Sequence, residues 1–390
     1  MKINRLAVST FFFSNGFLYA NWAARLPEIQ QHYGISSAEL GTLLLASAAG
    51  AILSMPFVGL LTMRFGTAKL TRTMGILFCL AMPFIPIFPN VWLLGGFFFL
   101  LGLSNGSLDV AMNGQAVFVE RLFGKPIMSS FHAVFSVGMA LGAGVGALFA
   151  KFGISLLTHF VCVSAVTLLG ILWAAFHLVN DAPFPTNRDF SDASTVFETK
   201  SVEKMLFRLP TKAILPLGII AFCGMTGEGS MVDWSAIYMH KVVGRSEAFS
   251  ALAFGAFAAS MTIGRVFGDY LWAKFGRRKL LISNSLLAIF GLTLTLVFVS
   301  EGTTLVGFGL VGLGLATVVP IVYSTAGNTE GVAPSVGISM ATTVGYSGFF
   351  VGPPVIGYLA DAFGLRVGLI FALVLFVLML VLVRRLKMLN

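Results

Sequence analysis

Apolar residues fill this chain in long stretches that short clusters of charge, proline and glycine interrupt. A helix that crosses a hydrocarbon core of about 30 Å needs about 20 mostly apolar residues. Twelve stretches meet this requirement, so the pattern predicts an all-α membrane protein with twelve transmembrane helices. The stretches cover residues 6–24, 39–62, 70–88, 91–118, 127–150, 155–179, 213–239, 248–272, 280–299, 303–326, 335–360 and 366–383.

One segment, residues 181–212, lacks the apolar pattern. It holds five acidic and five basic side chains, three prolines and several Ser and Thr residues. This composition is typical of a solvated linker. The sequence therefore predicts an N-terminal six-helix half (1–180), a cytoplasmic linker (181–212) and a C-terminal six-helix half (213–390).

The composition excludes a soluble enzyme. Hydrophobic residues make up 57% of the chain and charged residues only 11%, less than half of the roughly 25% that soluble domains carry. The three cysteines lie inside apolar runs without metal-ligand spacing, so they predict neither a disulfide framework nor a metal site. No phosphate-binding loop occurs, and we expect neither an enzymatic activity nor a cofactor.

The formal net charge of +9 is explained by membrane topology. Basic residues are retained in the cytoplasmic loops of membrane proteins. With twelve spans, nineteen Lys and Arg residues lie on the side of the two termini, five lie on the opposite side, and Arg265 lies inside the eighth span, which accounts for all 25. The termini are therefore predicted to be cytoplasmic, and nucleic acid is not an expected partner.

A Phe-Gly pair follows the second helix of each of the four predicted three-helix units. The pairs begin at Phe65, Phe152, Phe275 and Phe363. They are 87 and 88 residues apart within the halves, and 210 and 211 residues apart between them. Such spacing predicts a 3+3 inverted repeat inside each half.

The first of these segments, residues 59–66 (Gly-Leu-Leu-Thr-Met-Arg-Phe-Gly), resembles the Gly-x-x-x-Asp-Arg-x-Gly loop of the major facilitator superfamily. This chain has Met63 where the family has Asp, and Ala273 at the matching place in the second half. The resemblance implies a transporter that works by alternating access, usually as a monomer. It also implies that spans 1, 4, 7 and 10 line a central cavity.

Other segments look like the bacterial YbjJ-type subfamily and, more distantly, the fucose permeases. They are Asn-Trp-Ala-Ala-Arg-Leu-Pro (21–27), Ser-Leu-Asp-Val-Ala-Met-Asn (107–113), His132 with Phe-Ser-Val-Gly (135–138), Glu-Gly-Ser (228–230) with Asp-Trp (233–234), and Gly-Pro-Pro-Val-Ile-Gly-Tyr (352–358). The resemblance implies a small-molecule solute and a bacterial inner membrane. The acidic residue that fucose permeases carry on helix 1 is replaced by Ala23 here.

Ionisable residues at membrane depth are costly and are functional candidates by default. Asp109 and Glu228 are predicted to carry the coupling protons, although each could instead only hydrogen-bond neighbouring helices. Asn105, Asp109 and Asn113 follow one another at i, i+4 and i+8, so they share a helix face. Predicted solute contacts are Asn15, Tyr19, Trp22, Asn105, Asn113, His132, Trp234 and Tyr323.

Four further residues are predicted to take part in gating. Arg25 and Asp233 are candidates for an outer ion pair, with Lys241 as another partner for Asp233, while Arg64 and Lys274 lie in the repeated loops. In the eighth span Arg265 and Asp269 are spaced i, i+4, which predicts that they neutralise each other in a structural role.

These features predict a proton-coupled symporter of a small polar, sugar-like solute. The alternative within the same fold is a proton-coupled antiporter that exports amphiphilic compounds. A membrane sensor or scaffold without transport is a third class, against which the matched halves and the carboxylates at membrane depth argue.

Overall fold

The computed structural model of the chain describes residues 1–35, 37–180, 211–386 and 389. The described part is helical and contains no strand. Its fourteen helices are α1 (Lys2–Ala23), α2 (Leu26–Tyr33), α3 (Ser37–Phe65), α4 (Thr67–Ala81), α5 (Val91–Phe123), α6 (Met128–Lys151), α7 (Leu156–Ala175), α8 (Leu215–Lys241), α9 (Glu247–Phe275), α10 (Arg277–Val297), α11 (Glu301–Leu315), α12 (Val318–Gly327), α13 (Pro334–Phe363) and α14 (Leu365–Arg385). A 3₁₀ segment, Met82–Ile87, extends α4.

Each of the twelve predicted spans coincides with helical structure. In the described part, nine segments are long and apolar enough to cross a membrane by length and composition. The other three predicted spans correspond to α1, α9 and α13, which have 22, 29 and 30 residues. The all-α membrane fold is thus confirmed. Most of the predicted linker, residues 181–210, lies outside the described residues.

Two local features depart from the sequence prediction. The tenth predicted span consists of two helices, α11 and α12, with a break at Ala316 and Thr317. The break arises because Pro320 has no N–H to donate to the carbonyl of Ala316, and helical hydrogen bonding resumes from the Ile321 amide to the Thr317 oxygen at 3.1 Å. The short helix α2 was not predicted; it has a proline in its first turn and ends at Gly34 with φ 60°.

The glycine of each of the four Phe-Gly pairs has a positive φ. Gly66, Gly153, Gly276 and Gly364 have φ values of 82°, 63°, 78° and 85°. A residue with a side chain is strained at positive φ, whereas glycine is not. The repeated motif is therefore a set of sharp helix-to-helix turns that glycine alone adopts without strain.

The described chain forms two compact units. Unit 1 comprises Met1–Gly124, Val134–Leu209 and Glu330–Ser339, and unit 2 comprises Lys125–Ala133, Pro210–Thr329 and Met340–Asn390. The start of α6 therefore belongs to unit 2 and the start of α13 to unit 1, while the rest of each helix belongs to the other unit.

Each unit packs its helices in the same pattern. In unit 1, α3 and α4 pack against α5, and α1 and α4 pack against α7. In unit 2, α9 and α10 pack against α11, and α8 and α10 pack against α14. These are the same four pairs when the predicted spans are numbered from the start of each half, so the two units share one helix-packing pattern.

Close backbone approaches recur at the spacing that the sequence predicts. A Cβ atom on Gly102 of α5 would overlap the carbonyl oxygen of Ser47 on α3, and one on Gly312 of α11 would overlap that of Phe257 on α9. Both members of the second contact lie 210 residues after those of the first. The repeat between the halves is therefore present at the level of single backbone contacts.

The inner repeat shows the same correspondence. A Cβ atom on Gly16 of α1 would overlap the carbonyl oxygen of Phe135 on α6, as one on Gly102 would overlap that of Ser47. Gly102 lies 86 residues after Gly16, and Phe135 lies 88 residues after Ser47. Because the glycine comes from the first helix of a three-helix unit in both contacts and the oxygen from the second helix of the other, the predicted 3+3 arrangement is confirmed.

Candidate functional site

Helix α5 carries the central group of polar residues in unit 1. Asp109 and Asn113 are buried and Asn105 is half-buried. The Asn113 side-chain amide donates to the Asp109 carbonyl oxygen at 2.8 Å and lies 3.2 Å from the Asp109 carboxylate oxygen Oδ1. The carboxylate thus has a neutral amide donor one turn along its own helix, which stabilises charge without cancelling it.

Helix α1 contributes the facing polar residues. The side-chain nitrogen of Asn15 lies 3.9 Å from the sulfur of Met112 on α5. Tyr19 meets Trp22 edge to face, with ring centroids 5.3 Å apart, and Trp22 meets Phe98 of α5 in the same way at 5.5 Å. The structure therefore places Asn15 and Trp22 of α1 against α5, the helix that carries Asn105, Asp109 and Asn113. We call this set the α1–α5 polar face; its members are Asn15, Trp22, Asn105, Asp109 and Asn113.

Several polar atoms of this face are buried without a hydrogen-bonding partner among the described residues. They are Oδ1 of Asn15, Asn105 and Asn113, and Nε1 of Trp22. A buried polar atom left without a partner costs about 1–3 kcal/mol. The face thus presents three acceptors and one donor that a polar solute or water could satisfy, which the sequence alone does not reveal.

In unit 2, Glu228 of α8 pairs with Arg265 of α9. Arg265 Nη2 lies 3.4 Å and 3.5 Å from the two carboxylate oxygens. Arg265 is 7% exposed, whereas the Glu228 side chain is 23% exposed. Sequence reasoning assigned Arg265 only to a neighbour on its own helix and missed this contact, although a lone Arg inside an apolar span was a visible signal.

Two predicted solute contacts lie beside this ion pair. His132, in the first turns of α6, is buried and within electrostatic range of Arg265. Its ring centroid lies 6.1 Å from that of Tyr323, a buried residue of α12 just beyond the break after α11. We call Glu228, Arg265, His132 and Tyr323 the Arg265 cluster. The half-buried Trp234 of α8 has an indole nitrogen without a partner in the described residues.

Asp269, one turn after Arg265, binds the first turn of α6. Its two carboxylate oxygens accept hydrogen bonds from the backbone amides of Ser129 at 2.8 Å and Ser130 at 2.9 Å. The Ser129 hydroxyl donates to the Arg265 carbonyl oxygen at 2.9 Å. The backbone at Arg265 is therefore held in place from α6.

Arg25, a predicted gate residue, is enclosed within unit 1 and is 1% exposed. It pairs with Glu28, donates to the Ile154 carbonyl oxygen at 2.7 Å, and has Nη1 3.1 Å from His159 Nδ1. The other His159 nitrogen lies 2.9 Å from the Asn21 side-chain oxygen. His159 is thus part of a buried network that sequence reasoning missed.

The remaining predicted gate residues are exposed. The Arg64 guanidinium lies 5.3 Å from the Phe65 ring centroid, and the Lys274 ammonium 5.4 Å from that of Phe275. Both residues of the second pair lie 210 residues after those of the first, so the two pairs occupy equivalent positions in the repeat. Asp233 is exposed near the end of α8. No group of His, Cys, Asp and Glu in the described part could hold a metal ion.

Repeated six-helix units with ionisable residues at membrane depth are the architecture of secondary transporters. The sequence profile of the Major Facilitator Superfamily matches residues 6–331. The chain belongs to this superfamily, and it is an integral, multi-pass membrane protein of a transporter family.

Curated relatives support this assignment over nearly the whole chain. The chain is 34% identical over 372 residues to an uncharacterized transporter, y4wD, of Sinorhizobium fredii, covering 94% of this chain and 95% of the relative. It is 34% identical over 374 residues to the membrane protein MosC of Rhizobium meliloti, covering 95% and 87%. It is 32% identical over 356 residues to an uncharacterized MFS-type transporter of Yersinia pestis, covering 91% and 88%.

Solved structures show the same fold. The transporter FucP in the outward conformation aligns with a TM-score of 0.78 at 17% identity, covering 97% of both chains. A single-residue variant of the E. coli fucose:proton symporter FucP aligns with 0.74 at 18%, covering 97% of both chains. The human organic anion transporter MFSD10 aligns with 0.75 at 14%, covering 98% and 99%. At these identities the likeness concerns the fold.

Proposed function

We propose that this protein is a proton-coupled symporter that moves a small polar, sugar-like solute across the bacterial inner membrane by alternating access. The observation that carries the proposal is the α1–α5 polar face, where four buried polar atoms without partners in the described chain lie on α1 and α5, the second of which also carries Asp109. The shared fold with a fucose:proton symporter agrees with this substrate class.

The chemistry of the face suits hydroxyl groups. A site built to hydrogen-bond a hydroxyl rejects analogues that lack it, because its own polar atoms then stay unsatisfied. The three amide oxygens can accept hydrogen bonds from hydroxyls, while the Trp22 indole can donate one and offers an apolar ring face. A sugar-like solute combines these two kinds of surface.

Asp109 is the proposed proton carrier. A permanent charge at membrane depth is costly. A carboxyl there can instead carry a proton in its neutral form and release it when its surroundings change. Asn113 donates to the charged form at 3.2 Å. In this proposal the protein works as a monomer in the lipid bilayer with cytoplasmic termini, as the distribution of its basic residues predicts, and it needs no cofactor other than protons.

Uptake into proteoliposomes tests the proposal. A pH gradient, acidic outside, should drive accumulation of the solute by the wild-type protein, and Asp109→Asn should abolish that accumulation while solute exchange at equal pH continues. Asp361→Asn, at an exposed position of α13, is the matched control and should behave as the wild type. Gradient-driven accumulation by Asp109→Asn would refute the assignment.

Export of amphiphilic compounds in exchange for protons is the second candidate. The aromatic contacts among Tyr19, Trp22 and Phe98 favour it, because they provide apolar surface beside the polar face. Addition of solute outside the vesicles separates the two functions: symport makes the external medium more alkaline, and antiport makes it more acidic.

A further inference from the structure

We propose that Arg265 binds an acidic group of the transported solute, so that the solute is a sugar acid or a similar hydroxylated carboxylate, and that Glu228 is the internal counter-ion which the solute displaces. This inference rests on the proposed function, since it names the substrate class of the same transporter. It assigns a recognition role to a residue for which the sequence predicted only a structural one.

The first argument is the location of Arg265. It lies in the interior of α9 and is 7% exposed, and a charge removed from water to this extent costs several kcal/mol unless it is paired. Replacing a buried ion pair by well-packed apolar residues is often neutral or stabilising, so such a pair is weak evidence for a purely structural role. A buried guanidinium is the side chain best suited to a carboxylate, which it can bind through two parallel hydrogen bonds.

The second argument is the geometry of the ion pair. A well-formed bond between a cationic nitrogen and a carboxylate is about 2.7–2.9 Å long. Here a single nitrogen, Nη2, faces both Glu228 oxygens at 3.4 and 3.5 Å, which is longer than that and is not the two-nitrogen fork. A carboxylate that approached the guanidinium to within about 2.7–2.9 Å would bind more strongly than Glu228 does through this long contact.

The third argument is the difference in accessibility and anchoring between the partners. The Glu228 side chain is 23% exposed while that of Arg265 is 9% exposed. The Arg265 carbonyl oxygen is held by the Ser129 hydroxyl at 2.9 Å, and the next turn is held through Asp269. The Arg265 backbone is therefore anchored on α6, and Glu228 is the more exposed of the two partners.

Binding measured on the full-length protein in detergent tests the inference. The probes are D-glucuronate and D-galacturonate, with D-glucose and D-galactose as their neutral matches. The acids should bind the wild-type protein and the neutral sugars should bind at least about tenfold more weakly. Arg265→Gln should weaken the binding of the acids more than about tenfold, and Arg265→Lys should weaken it less.

The direction in which Glu228→Gln changes the affinity for the acids decides between the two roles of Glu228. If Glu228 competes with the solute for Arg265, its removal tightens the binding of the acids by about tenfold; if the pair is structural, its removal weakens binding or leaves it unchanged. Arg245→Gln is the matched control, since Arg245 forms a more exposed pair with Glu301 at 2.9 Å in the same unit. It should bind the acids as the wild type does.

Three outcomes would overturn the inference: no binding of either acid to the wild type, equal binding of the acids to Arg265→Gln, or binding to Glu228→Gln that is weaker or unchanged. If Arg265→Gln does not fold, the Lys and Glu228 variants decide. The two proposals can fail separately. If the neutral sugars bind and are accumulated, and Asp109→Asn abolishes their gradient-driven accumulation, the proposed symport stands while the acidic substrate class fails.

Discussion

Asp269 on α9 accepts a hydrogen bond from the Ser129 amide, at 2.8 Å, at the first turn of α6. The second carboxylate oxygen accepts from the next amide at 2.9 Å. The first amides of a helix have no partner within the helix, and a negative charge there is stabilised by the helix dipole. A side chain from a helix distant in sequence therefore provides the hydrogen-bond acceptors for two backbone amides in the first turn of α6, within unit 2.

Replacing this carboxylate should destabilise the protein measurably. Asp269→Asn keeps one acceptor oxygen but loses the charge, so we expect a loss of about 1–2 kcal/mol in the free energy of unfolding. Chemical denaturation in detergent measures it. Asp361→Asn on exposed α13 surface should change this free energy by less than about 0.5 kcal/mol, and equal effects of the two variants would contradict the capping role.

The buried network of Arg25 should contribute more. Arg25→Gln leaves the Ile154 carbonyl oxygen and His159 without their charged donor, which costs about 1–3 kcal/mol for each group, while loss of the pair with Glu28, whose side chain is 37% exposed, adds less. We expect the apparent melting temperature to fall strongly, whereas Lys151→Gln, at an exposed position, should leave it nearly unchanged. If Arg25→Gln melts like the wild type, the network does not stabilise unit 1.

Removal of a polar atom without a partner should have opposite effects on stability and binding. The Asn15 oxygen is buried and unsatisfied within the described chain, so Asn15→Leu should stabilise the protein by about 1 kcal/mol and weaken solute binding. Thermal denaturation with and without solute measures both effects.

Asn284 is the matched control for Asn15. It is equally buried, and its side-chain nitrogen donates to the Thr317 hydroxyl at 2.7 Å. Asn284→Leu should therefore destabilise the protein, because it leaves the hydroxyl without this donor. Destabilisation by both variants would show that Asn15 is satisfied in the folded protein and is not kept for the solute.

Two glycines of α5 should respond in opposite directions to the same substitution. Gly102→Ala inserts a methyl group where the Ser47 carbonyl oxygen already lies, so we expect a loss of about 1–3 kcal/mol or more. At Gly96 nothing lies within 4 Å, so Gly96→Ala should stabilise α5 by about 0.5–1 kcal/mol. Thermal denaturation of the two variants gives the comparison, and a loss in both would contradict the close packing of α3 on α5.

The sequence predicted the fold well for physical reasons. A bilayer requires about 20 apolar residues per span, so the helices are visible without knowledge of their neighbours. The Phe-Gly pairs revealed the repeat because a positive φ restricts the turn to glycine. Both signals are local in the chain, and local signals are what a single sequence contains.

The site was predicted only in part because its contacts are distant in sequence. The spacing of Asp109 and Asn113 within one helix was sufficient to place them on one face. Arg265 and Glu228 lie 37 residues apart on different helices, and Arg25 and His159 lie 134 apart. Helical periodicity shows which residues share a face, but not which residues of another helix lie against that face. It therefore predicts Asp269, one turn away on the same helix, as the partner of Arg265.

The meeting of α3 and α5 at Gly102 has a use in spectroscopy. The two backbones are in direct contact at this point, with no side chain between them. A change of side-chain rotamer therefore cannot alter the distance between the helices. Nitroxide labels at Leu53 and Leu100, which are exposed on α3 and α5, should keep one fixed separation through the transport cycle. That pair is an internal length standard against which every other labelled distance in the protein can be read.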